Sequence, residues 1–119
     1  MTSTPAERVF MPTVSDQLPD GERPMIAIVR ALPRHEEALA DATATLAAAV
    51  RREPGCKEFR AFRDADHPGI FYLYEIYADL RAFREHLITD HVAAFFGELE
   101  AHSTSDAGAL TQLIELPVR

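Results

Sequence analysis

Glu75 lies within the apolar run Phe71-Tyr72-Leu73-Tyr74-Glu75-Ile76-Tyr77, and a carboxylate buried in such a strand is costly unless it is paired, hydrogen-bonded or protonated. Two readings are open: an ionic pair with Arg63, a histidine or a second copy of the chain, or an acid or base tuned by burial. His86 is a second candidate, because an imidazole exchanges a proton near neutral pH and can act as a general base. Its place near the end of a short helix equally suits a histidine that caps a carbonyl. His91 follows five residues later, a spacing off one helical face. No third ligand stands at a recognisable spacing from this pair, so no metal is expected. His35, His67 and His102 read as surface positions at loops or helix ends. Phe59, Phe83, Phe95 and Phe96 can line a cavity for an aromatic molecule or simply pack a core.

These residues need elements to position them. Pro24 and Pro33 bracket an aliphatic strand over residues 25–32. Leu39, Leu46 and Val50 recur at helical spacing within residues 34–52, with Glu36 and Glu37 at the positive helix end and Arg51 and Arg52 at the negative one. Pro54 and Gly55 stop that helix. Residues 56–64 and 69–77 read as strands of an antiparallel hairpin closed by Ala65, Asp66, His67 and Pro68. Asp79 caps a short helix through His86, and Thr89 or Asp90 caps a second towards His102. Residues 103–108 form a loop and residues 110–116 alternate as a last strand. The order is that of an α+β, ferredoxin-like split βαβ fold. Helices cover one sheet face; the other is left bare and apolar, which favours a homodimer.

The 119 residues suit one domain, over 25–119, preceded by a Pro-rich extension over 1–24 that is extended or partly disordered, although Val9, Phe10, Met11 and Val14 could dock. A net charge of -7 argues against nucleic acid as partner. No apolar run is long enough for a membrane span and no signal segment opens the chain. The single cysteine, Cys56, forms no internal disulfide and reads as a small buried hydrophobe. A cytoplasmic protein is expected.

Glu53-Pro54-Gly55-Cys56, then Asp64, the run from Phe71 to Asp79, Ala82-Phe83, and His86-Leu87 with His91 together resemble the antibiotic biosynthesis monooxygenase family. The resemblance implies a dimeric α+β barrel with a pocket between sheet and helices. It also implies cofactor-independent oxygenation of a small phenolic, quinol or polyketide-like substrate by dioxygen. Haem-degrading relatives rely on Asn, Trp and His, and this chain contains neither Trp nor Asn, so that branch does not apply. The polyketide oxygenases also use Asn and Trp, where this chain has Leu73 and Tyr77. Both faces of the strand through Glu75 carry aromatics; the resemblance turns the face of Leu73, Glu75 and Tyr77 into the pocket, and Phe59, Ala61 and Arg63 of the preceding strand likewise. It sets His86 at the cavity wall, where haem-degrading relatives have tryptophan. The resulting catalytic set is His86, Glu75 and Tyr77, with Phe59, Arg63, Leu73, Phe83, His91 and Phe95 binding substrate. Isomerisation of a small hydroxy-carbonyl compound and a noncatalytic small-molecule-binding dimer are the alternatives. Where relatives commonly have Gly before the first helix, this chain has His35.

Overall fold

The computed structural model describes residues 21–104 and 109–119. Most of the expected N-terminal extension, with Val9, Phe10, Met11 and Val14, lies outside them, as does the loop at residues 105–108. Strand β1, Arg23–Arg30, starts two residues ahead of the expected Met25 and buries every second side chain. Helix α1, Glu36–Val50, turns Leu39, Leu46, Ala47 and Val50 onto the sheet, the stripe that the 3.6-residue period dictates. Strands β2, Cys56–Arg63, and β3, Ile70–Tyr77, follow. Asp64 organises their turn: its carboxylate accepts the amides of Asp66 and His67 at 2.9 and 3.0 Å and the Tyr72 hydroxyl at 2.6 Å. Those donors, led by Tyr72, hold its carboxyl down at about 2. Helices α2, Leu80–Leu87, and α3, Asp90–His102, precede strand β4, Ala109–Gln112.

The four strands form one antiparallel sheet in the order β2-β3-β1-β4. This is the expected α+β, ferredoxin-like arrangement. Met25, Val29, Phe59, Phe71, Leu73 and Tyr77 on its inner face meet Leu39, Val50, Phe83, Val92 and Leu99 from the helices in one core. No helix of the described residues is long and apolar enough to cross a membrane.

The last strand is shorter than its alternation predicts. Gln112 pairs with Met25 and the Leu113 amide donates to the Pro24 carbonyl at 2.8 Å. The residue facing Leu113 is Pro24, which has no N–H to return the bond, and only Arg23 of β1 lies beyond it, so the ladder stops there. Ile114, Leu116 and Val118 are consequently 66, 81 and 97% exposed.

Candidate functional site

Three segments converge beside the inner sheet face. Glu53 lies in the tight connection after α1, where its amide donates to the Val50 carbonyl and its own carbonyl accepts from the Cys56 amide. Asp79 caps α2 by accepting the Ala82 amide at 2.8 Å, and Ala82, Phe83 and His86 then fall on the buried side of that helix. Thr89 makes the corner between α2 and α3. Its hydroxyl donates to the His86 carbonyl at 2.8 Å, and the same oxygen accepts the Val92 amide at 3.4 Å. That double cap turns the chain sharply enough to set the rings of His86 and His91 6.4 Å apart.

The carboxylate of Glu53 occupies the space between them. Its oxygens lie 2.9 and 3.1 Å from His86 Nδ1, and one of them lies 2.5 Å from His91 Nε2. The ring of His86 therefore serves Glu53 and does not cap a helix carbonyl. An ionised carboxylate only accepts, so His86 carries its proton on Nδ1 and its lone pair on Nε2. Burial dominates its electrostatics and lowers its pKa, against the raising effect of Glu53, which keeps the ring neutral at pH 7.

Glycine is required close by. A Cβ on Gly55 would sit 2.4 Å from that of Ala82, so β2 and α2 approach this closely only because that position lacks a side chain. Gly55→Ala should cost about 1–3 kcal/mol, as overpacking does, read as a lower denaturant midpoint. Unchanged stability would show that the approach is not tight.

His86 also lines a cavity of about 60 Å³ whose other walls include Phe59, Leu73, Glu75, Phe83 and Phe95. Glu75 is its acidic wall. Its carboxylate accepts the Tyr77 hydroxyl at 2.6 Å, and burial pushes its pKa up to about 7, with the Tyr77 hydrogen bond opposing and Glu53 adding to the rise. Burial, followed by the charge of Glu75, pushes the Tyr77 hydroxyl far up as well, so it remains a donor. Cys56 is raised too, chiefly by burial.

Several expected positions change. Arg63 is no partner of Glu75 and does not reach the cavity: β2 is an edge strand, and its guanidinium lies 5.1 Å over the ring of Phe71 and 3.1 Å from Glu37. Ala61, on the same side of β2, is exposed. Tyr77 is fully buried behind the cavity wall, where its hydroxyl donates to Glu75 and its ring packs 4.8 Å from that of His86 and 5.3 Å from that of Phe83. His91 lines an outer groove of about 380 Å³ between α1 and α3, which shares Leu46 and Phe95 with the inner cavity. No local spacing points to Glu53, because its two partners lie 33 and 38 residues away.

The family model described as antibiotic biosynthesis monooxygenase matches residues 25–98. A crystal structure from Pseudomonas aeruginosa shares 30% identity at a TM-score of 0.76, covering 82% of this chain and 96% of its own. One from Mycobacterium tuberculosis shares 25% at 0.74, covering 82% and 97%. A structure described as an antibiotic biosynthesis monooxygenase shares 24% at 0.74, covering 80% and 99%. Among curated proteins, nothing matches.

Proposed function

Since this chain belongs to the antibiotic biosynthesis monooxygenase family, we propose that it oxygenates a small phenolic or quinol substrate with dioxygen, without a cofactor. The observation that carries this reading is a carboxylate-held imidazole, Glu53 to His86 Nδ1 at 2.9 Å, at the wall of an apolar cavity. Nε2 takes the phenolic proton. The phenolate passes one electron to dioxygen, and the resulting radical pair joins to form a carbon–oxygen bond. Loss of the ring hydrogen as a proton with cleavage of the O–O bond then leaves a new carbonyl and one water. The substrate supplies all four electrons, so no outside reductant enters. Apolar walls exclude water while the radicals recombine. Protonated Glu75, held by Tyr77, is the donor placed to stabilise developing charge on the substrate oxygen.

A cavity of about 150 Å³ holds a benzene ring, more than the present 60 Å³. Rotation of Phe95, which with Leu46 forms the wall shared with the outer groove, is the movement that would admit such a ring. An oxygen electrode tests the reading. Metal-stripped protein should consume oxygen with hydroquinones or anthrones faster than His86→Ala does; equal rates across the panel would reject oxygenation.

We further infer a homodimer through the outer sheet face. Ile26, Ile28, Tyr72, Tyr74 and Ile76 are all half-buried there, beside Phe62 at 42% exposure, and such a patch supports association. Sedimentation should give twice the chain mass for the wild type and a lighter species for Tyr74→Asp. A monomeric wild type would overturn this.

A further inference from the structure

We propose that Glu53, His86 and His91 bind a divalent transition-metal ion, and that the bound ion takes His86 out of service as a base. The first half rests on geometry alone; the second rests on the oxygenase reading above.

One ligand atom from each of the three residues lies within 4.8 Å of the others. One carboxylate with two imidazoles is a donor set used by zinc and by nonhaem iron(II), leaving coordination positions for water or substrate. The side chains of Glu53 and His86 are only 11 and 7% exposed, and that of His91 is 28% exposed. A partly desolvated carboxylate between two imidazoles attracts a small cation strongly. Hard ions such as calcium and magnesium gain little from imidazole, so zinc, cobalt, nickel and copper are the fitting class.

The separations from Glu53, 2.9 Å to His86 and 2.5 Å to His91, are those of hydrogen bonds. A tetrahedral ion about 2.0–2.2 Å from each donor sets them roughly 3.3–3.6 Å apart. Glu53 therefore has to withdraw from both nitrogens by up to about 1 Å, and the two ring nitrogens, within 4.8 Å of each other, have to close to the same spacing. His91 is the ring with room to turn, because it is the more exposed of the two and borders the outer groove.

Occupancy changes the tautomer. A metal on His86 Nδ1 needs the lone pair at that nitrogen, and a neutral imidazole then carries its proton on Nε2. The nitrogen left for the cavity becomes a donor and cannot accept a phenolic proton. Metal and base function exclude each other at this ring, with no change in the charge of the imidazole.

The test titrates the full-length, metal-stripped chain with Zn²⁺ by calorimetry and with Co²⁺ by visible absorption. One ion per chain is expected. Binding should weaken by more than about 100-fold, the upper cost of losing an outer-shell partner, in both Glu53→Gln and His91→Ala. His102→Ala is the control, because His102 belongs to a separate contact with His35 and Glu98, and it should bind as the wild type does. Circular dichroism confirms that each variant folds. Wild-type binding no tighter than that of His91→Ala, or binding lost in His102→Ala but kept in His91→Ala, would overturn the site. These readouts stand whether or not the protein consumes oxygen. With an oxygenated substrate in hand, Zn²⁺ should abolish wild-type uptake in step with occupancy, and the residual uptake of His91→Ala should be insensitive to the same Zn²⁺. Full occupancy with unchanged uptake would overturn the second half alone.

Discussion

His86→Ala is expected to lower kcat/KM for an oxygenated quinol by about 10²- to 10⁴-fold, the usual contribution of a positioned general base. The loss should fall mainly on kcat, because the variant leaves the apolar walls that hold the substrate. Glu53→Gln should lose part of the same rate through a different route. Its amide can present nitrogen to Nδ1, making that atom the acceptor and moving the proton to Nε2, where the base is needed. Stopped-flow oxygen consumption separates the effects, since KM should change little in Glu53→Gln. Full activity in either variant would remove the Glu53–His86 pair from the mechanism.

Glu75→Gln should make the protein more stable above neutral pH, by about 3 kcal/mol. The carboxyl of Glu75 ionises at about 7 in the fold against an ordinary 4.5, chiefly because it is buried. Below pH 4.5 it is protonated in both folded and unfolded chains and has no effect. Between the two values the folded state keeps a proton that the unfolded chain has released, so stability falls as pH rises; above about 7 the deficit is complete. That separation, at about 1.36 kcal/mol per pH unit, sets the 3 kcal/mol. Glutamine has the same shape, accepts the Tyr77 hydroxyl and does not ionise. Urea unfolding of both proteins from pH 4 to 9 should show the stability difference growing with pH; a difference constant across the range would mean that Glu75 ionises normally.

The strands were legible because burial alternates on them: Phe71, Leu73, Glu75 and Tyr77 point inward, as a period of two requires. The caps at Asp79 and Thr89 were legible for the same local reason, since each side chain bonds an amide three residues on. Periodicity could not show where covering layers end. Arg63 shares its side of β2 with Phe59, yet the edge position of that strand lets it reach outward to Glu37. Nor could it show the early end of β4, which depends on Pro24, a residue without an N–H, falling opposite Leu113. Glu53 was hidden more completely. It lies in a turn with no period of its own, and its role appears only when the corner at Thr89 folds His86 and His91 back upon it. A carboxylate directly before Pro54 and Gly55, at the close of an amphipathic helix, was the available signal.

The most direct test of the Glu53–His86 base is a comparison of kcat/KM for wild type and His86→Ala across phenols or quinols of graded acidity. The series should run from ionisation near the assay pH up to about 10, the ordinary phenolic value. If Nε2 removes the phenolic proton, the ratio of the two rates should be greatest for the least acidic member and approach one for those already ionised in solution. A ratio that stays constant along the series would mean that His86 shapes the cavity without taking the proton, and the account would fail.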